Sequence, residues 1–197
     1  MPVIIGQPRL LSIIDSYTTQ TLPKSLLLIG PTGCGKHTFA KYIAEKFQFE
    51  FVELSEALSS SELDEFMYST TLNTLYLIDL SKFSEKQQNQ FLKFVEEPTK
   101  PVYIVLVSQS ESSIINTLLN RCIKYTFESY SVQQIEAITN ASVNALAFEI
   151  FKTPGKLLNL TNESFSAVMT LAESVIKNIG SMSYPAMLVV ATKINYK

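Results

Sequence analysis

Arginine is scarce in this chain. Of 16 basic residues only Arg9 and Arg121 are arginine. A coding bias toward lysine accounts for the scarcity, and it makes the two surviving forks of planar donors worth inspecting. Charge of one sign is scarce as well. Sixteen basic residues face 18 acidic ones, for a net −2. That excludes a polybasic nucleic-acid binder and leaves any DNA contact to a local patch. Cysteine is confined to Cys34 and Cys122, too few for a disulfide framework or a four-cysteine zinc site. Neither is expected to have a redox role; Cys122 reads as a small buried apolar residue. The opening MPVIIGQPRL lacks a basic region followed by a long apolar core, so no signal peptide is expected. The longest apolar runs, LLLIG and VYIVLV, are far too short to span a membrane. A soluble, intracellular, cytoplasmic protein without a membrane partner is the expectation. Internal repeats and low-complexity segments are lacking too.

What is present is ample apolar material, 46% of 197 residues, enough for one core with a small satellite domain. LLLIG (26–30), TLYLIDL (74–80) and PVYIVLVS (101–108) read as buried strands, FEFVEL (49–54) as an alternating strand and RCIKYTF (121–127) as a last one. Between them HTFAKYIAEKF (37–47) is amphipathic, with Phe39, Ile43 and Phe47 four apart. SELDEFMYST (61–70) reads as a helix with Leu63, Phe66 and Met67 inward, and SSIINTLLN (112–120) as another. SEKQQNQFLKFVEEP (84–98) is a further helix, capped by Ser84 with Gln87 three residues on and stopped by Pro98. Strands and helices alternating at short intervals predict an α/β fold, a parallel sheet covered by helices on both faces. Ligands bind at the carboxyl ends of such strands, where the loop 30–36, Asp79 and Ser108–Gln109 all fall. Beyond about 131 the strand signals fade into helical patterns interrupted by a TPGK turn (153–156), so a domain boundary is placed near 128–131. ATKINYK ends the chain without a closing signal, as a piece of something longer would.

The loop carries the chemistry. GPTGCGKHT (30–38) meets the phosphate-loop pattern at Gly30, Gly35 and Lys36. Backbone N–H groups of such a turn, with the helix dipole behind them, bind phosphate oxygens, and Lys36 would reach the β- and γ-phosphates. The residue after the lysine should be Ser or Thr to hold Mg²⁺, and it is His37. Imidazole is a poor ligand for that hard ion. Thr38 is rotated by about 100° around the helix and does not substitute. A plainer reading of His37, a solvent-facing residue of the first turn, stays open. Asp79 stands where an acid holds Mg²⁺ through water, or simply caps the turn that follows its strand. The next residue is Leu80, which neither orients nor deprotonates water.

IDLSKFSEKQQNQFLKFVEEP followed by VYIVLVSQSESSIINTLLNRC resembles the AAA+ subunits of sliding-clamp loaders, over about residues 3 to 160. LKFVEEP is the most specific piece. The resemblance implies a P-loop NTPase sheet followed by a small all-helical lid. It implies that Val3, Ile4, Ile5 and Gly6 pack on adenine, and that Gly30, Pro31, Thr32, Gly33, Cys34, Gly35, Lys36, His37 and Thr38 form the phosphate loop. It makes Asp79 the Walker B acid, weakly holding Mg²⁺ through water. Gln109 falls at sensor 1, Lys156 at sensor 2, and Arg121 at the arginine finger that acts on ATP held by a neighbouring subunit. Without the family, Arg121 reads as a surface arginine paired with a carboxylate.

The departures have a direction. His37 and Leu80 damage hydrolysis in cis, while Arg121, which serves a neighbour, is intact. This resembles the delta-prime type of DNA polymerase III subunit, with degenerate Walker motifs. Expected domains are 1–130 for nucleotide binding, 131–162 for the lid, and 163–197 as the start of a collar. Expected partners are other clamp-loader AAA+ subunits, the sliding clamp, and primer-template DNA only within the assembled ring. The expected cofactor is ATP, with or without Mg²⁺, and no zinc. Two alternatives stay open: an active clamp-loader ATPase in which a residue such as Glu85 replaces the missing Glu, and a nucleotide-free replisome adaptor.

Overall fold

The computed structural model describes residues 2–54, 63, 65, 72–97, 101–140, 142–143, 148 and 152–159. Five strands form one parallel sheet in the order β2-β3-β4-β1-β5. They are β1 (Ser25–Ile29), β2 (Glu50–Leu54), β3 (Thr74–Asp79), β4 (Val102–Ser108) and β5 (Ile123–Thr126). The helices among the described residues are α1 (Pro8–Ser16), α2 (Lys36–Phe47), α3 (Glu85–Gln88), α4 (Leu92–Glu96), α5 (Asn116–Leu119), α6 (Val132–Thr139) and α7 (Pro154–Leu158). All five expected strands are present, and the parallel sheet with flanking helices is the fold the sequence pattern implied.

The apolar runs explain the order. β1 and β4 are buried at every position, as strands covered on both faces must be. Successive side chains point to opposite faces. On one face Leu27, Ile29, Tyr76, Ile78, Ile104 and Leu106 join Phe91, Phe94, Ile114 and Leu118 of the segments after β3 and β4 in one apolar cluster. On the other, α2 packs against the central strands with Phe39, Ala40 and Ile43 wholly buried. The edge strands β2 and β5 have exposed positions.

Two elements differ from expectation. The segment 84–98 is not one helix. α3 and α4 are separated by a 3-10 turn at Asn89–Phe91, which swings Phe91 and Phe94 into the cluster. Its start is as read: the Gln87 side chain accepts from the Ser84 N–H at 2.9 Å. Pro98 lies outside the described residues, as do Phe66 and Met67, whereas Leu63 is buried. The helical reading of 112–120 divides into a 3-10 turn at Glu111–Ser113 and the short α5. An element absent from the sequence reading, α1, starts on Pro8, a residue suited to the first helical turn.

The chain divides into two compact units, 1–155 and 156–197. Residues 128–131, where the sequence pattern suggested a boundary, lie inside the first unit. Residues 163–197, expected to begin a collar, lie outside the described residues.

Candidate functional site

The strand register brings the predicted residues to one edge. Asp79 pairs with Val107, Ser108 with Ile29, and the Gly30 N–H donates to the Ser108 carbonyl at 3.1 Å. The ends of β3, β4 and β1 are thus side by side. Asp79, the exposed Gln109 and the loop after Gly30 share the carboxyl edge of the sheet.

The loop has the geometry its glycines permit. Gly33 (φ 81°) and Gly35 (φ 94°) are left-handed, a conformation that costs a side-chain-bearing residue energy. Gly35 caps α2 with no side-chain hydrogen bond to the helix. The first N–H groups of α2 have no intrahelical partner, and with the positive end of the helix dipole they favour an anion. This cradle fits a phosphate. Lys36 is buried, and its ammonium donates to the carbonyls of Gly30 at 2.5 Å and Pro31 at 2.9 Å. The Cys34 thiol sits 3.8 Å from the same ammonium. Burial pushes that thiol's pKa up, and the nearby ammonium only partly opposes it.

His37 reaches across the edge. Its Nδ1 lies 3.5 Å from Glu53 Oε1 and its Nε2 3.9 Å from Asp79 Oδ2. The other Asp79 oxygen accepts from the Ser81 N–H at 3.1 Å and the Ser81 hydroxyl at 2.7 Å, so the acid also caps the turn after β3. Lys82 lies 3.9 Å from Glu53. A Mg²⁺ site needs several oxygens in near-octahedral array. Here an imidazole stands between the two carboxylates, and one Asp79 oxygen is already committed to Ser81. The donor set does not fit Mg²⁺.

Arg121 is at the opposite edge. It precedes β5, whose first residue, Ile123, pairs with Leu26 near the start of β1. The phosphate loop begins only after Ile29, about 13 Å further along the sheet at the usual rise per residue. Arg121 makes an ion pair with Glu96 of α4 and donates to the Thr117 carbonyl at 2.9 Å. The carboxylate partner that its sequence context alone suggested is present. Lys156 is exposed on α7 and is the first residue of the second unit. In the amino-terminal segment Val3 is 82% exposed, whereas Ile4 and Ile5 are half-buried.

Three residues of the site were not singled out by sequence reasoning. Glu53 is the penultimate residue of β2, on the ligand-bearing edge, and only the sheet order brings it to His37. Tyr130 donates to the Cys34 carbonyl at 2.6 Å, and Thr153 to the Thr32 carbonyl at 2.9 Å. These lie far along the chain from the loop, and no local pattern announces them.

Comparison with known proteins gives likenesses in sequence and in structure. The family described as DNA polymerase III, delta subunit, matches residues 61–131. The chain is 25% identical to the DNA polymerase III subunit gamma of Buchnera aphidicola subsp. Baizongia pistaciae (strain Bp), over 88% of this chain and 56% of that protein. It therefore spans little more than half of that relative's length. Among solved structures it is similar to the Thermotoga maritima RuvB Holliday junction branch migration motor (TM-score 0.62, 14% identity, 98% of this chain and 71% of that one). The P216G mutant of the same protein gives a TM-score of 0.64 at 14% identity, covering 98% of this chain and 72% of that one. The structural likeness shows a shared fold and no more. The two sequence likenesses are both to DNA polymerase III subunits.

Proposed function

We propose that this chain is a clamp-loader subunit of delta-prime type: it holds ATP weakly or without turnover and lends Arg121 to the nucleotide site of a neighbouring subunit. The observation that carries the proposal is His37 lodged between Glu53 and Asp79 beside an intact phosphate cradle. The backbone turn can receive phosphate. The place of the metal is taken by the protein's own imidazole, and Leu80, buried at the end of β3, offers no group to activate water. Binding and turnover are thereby separated.

In this reading Gly33, Gly35 and the start of α2 hold the phosphates, Lys36 leaves its loop carbonyls to meet them, and Gln109 faces the terminal phosphate from the end of β4. Ile4 and Ile5 pack on the base, and Lys156 has the sensor 2 role. Arg121 lies at the wrong edge of the sheet for the chain's own loop, which supports a role in trans. An arginine finger is worth about 10³ to 10⁵ in rate to the site it completes. Other loader subunits, the clamp and primer-template DNA are the partners, in the cytoplasm.

Equilibrium titration of the purified chain with ATP, with and without Mg²⁺, tests this together with a phosphate-release assay. Saturable binding that Mg²⁺ does not strengthen, with no release above background, is expected. Mg²⁺-dependent release would overturn the proposal in favour of an active ATPase. No binding up to millimolar ATP would leave only a nucleotide-free adaptor.

A further inference from the structure

The carbonyls of the loop are all occupied from within the protein. Lys36 takes those of Gly30 and Pro31. The Thr153 hydroxyl donates to Thr32 at 2.9 Å, the Gly155 N–H to Gly33 at 2.9 Å, and the Tyr130 hydroxyl to Cys34 at 2.6 Å. The last three donors come from about a hundred residues downstream. A trans peptide is planar, with its C=O and N–H on opposite sides. Fixing the oxygens of Thr32 and Cys34 outward therefore turns the N–H groups of Gly33 and Gly35 to the other side, as an anion-binding turn requires, while the Cys34 N–H donates to the Pro31 carbonyl at 3.3 Å.

Tyr130 is the centre of this arrangement. A Cβ on Gly6 would stand 2.5 Å from its ring, and Gly6 has φ 85°, so the amino-terminal segment is shaped to admit the ring. Gln7, itself buried, brackets the backbone of Glu128, donating to its carbonyl at 3.0 Å and accepting from its N–H at 2.9 Å. A phenol is protonated at neutral pH, and burial of Tyr130 pushes its pKa further up. At the far end a Cβ on Gly155 would stand 2.7 Å from the Gly33 Cα, so only glycine allows that approach.

We infer that Tyr130, Thr153 and Gly155 are positioning residues that clasp the phosphate loop from its carbonyl side, with the Tyr130 hydroxyl as the principal pin. The clasp holds the loop in its anion-binding form. It rests on the nucleotide reading above for its purpose, though not for its existence.

Cys34 supplies the test, because its thiol is 1% exposed and can be alkylated only when the loop opens. The alkylation rate of Cys34, read by peptide mass spectrometry at fixed pH, is compared in the full chain, Tyr130→Phe, Thr153→Val and Tyr103→Phe. Tyr103 makes an equivalent hydrogen bond, to the Thr19 carbonyl at 3.0 Å, remote from the loop. Tyr130→Phe is expected to speed Cys34 alkylation about tenfold, the size of effect when a buried carbonyl loses its donor, and Thr153→Val to speed it less. Tyr103→Phe is expected to leave it unchanged. ATP affinity, measured in parallel, should fall about tenfold in Tyr130→Phe and stay unchanged in Tyr103→Phe. Equal alkylation rates in Tyr130→Phe and the parent chain, or equal acceleration in Tyr103→Phe, would overturn the clasp. If the parent chain binds no ATP, the nucleotide reading fails by itself and the alkylation rates alone decide the clasp.

Discussion

At the scale of the residue, His37 is the position on which the proposed reading turns. Its imidazole lies 3.5 Å from Glu53 and 3.9 Å from Asp79, where a relative with Ser or Thr would present a metal-binding hydroxyl. His37→Thr removes the bridging group and restores the oxygen. ATP binding in that variant is expected to gain a Mg²⁺ dependence of about tenfold or more, seen by calorimetry with and without the ion, while phosphate release stays at background because Leu80 is unchanged. Mg²⁺-independent binding in His37→Thr would show that the histidine does not stand in the metal's way. The defect at His37 was readable from one letter. Its partner Glu53 was not, because nothing in FEFVEL says that β2 will lie beside β3.

At the scale of the element, the packing of α1 on α2 offers a pH signature. Asp15 of α1 accepts from the Tyr42 hydroxyl at 2.7 Å and is ion-paired with Lys46 of α2. The hydrogen bond from Lys46 is the chief cause that holds the Asp15 carboxyl below its usual range, with Tyr42 next. Burial first, then Asp15, pushes the Tyr42 phenol up to about 12. A carboxyl with a depressed pKa stabilises the fold above its unfolded pKa, near 4, and loses that contribution as pH falls through the folded value. Asp15 is half-exposed, so the contribution is about 0.2–1 kcal/mol. Asp15→Asn is expected to unfold at lower denaturant than the parent chain at pH 7, with the gap closing below about pH 4. A gap that persisted at pH 3 would contradict the ion pairing. The division of 84–98 belongs to this scale as well. Ser84, Gln87 and the apolar positions were all legible, but the 3-10 turn at Asn89–Phe91 arises because Phe91 and Phe94 must both enter one cluster with Phe83 and Leu118, a demand that no helical period expresses. α1 went unread because its nine residues follow an irregular segment and carry no distinctive cap.

At the scale of the whole molecule, the two edges of the sheet carry different chemistry. The carboxyl edge holds the phosphate loop, and the opposite edge holds Arg121. The finger reading predicts an effect that isolated protein cannot display. In an assembly with an AAA+ partner, Arg121→Ala is expected to lower the partner's ATP turnover by about 10³-fold or more, with this chain's own ATP affinity unchanged. Unaltered turnover would return Arg121 to a surface arginine held by Glu96 and the Thr117 carbonyl. Glu96→Gln separates the two cases further, since releasing the guanidinium should preserve or raise partner turnover if Arg121 works in trans.

The sequence by itself determined the parallel sheet, the phosphate loop, the missing hydroxyl at His37 and the missing acid at Leu80. Those features are written in local period, glycine spacing and residue type, which neighbours in the chain suffice to express. Tertiary structure alone decided that Glu53 and Asp79 flank His37, that Arg121 lies at the far edge from the loop, and that Tyr130, Thr153 and Gly155 close on the loop's carbonyls. These depend on strand order and on contacts between distant segments, Thr153 and Thr32 being 121 residues apart. The physical reason is that hydrogen bonds and ion pairs of this kind join residues brought together only by strand order and packing, so their partners leave no periodic trace in the chain.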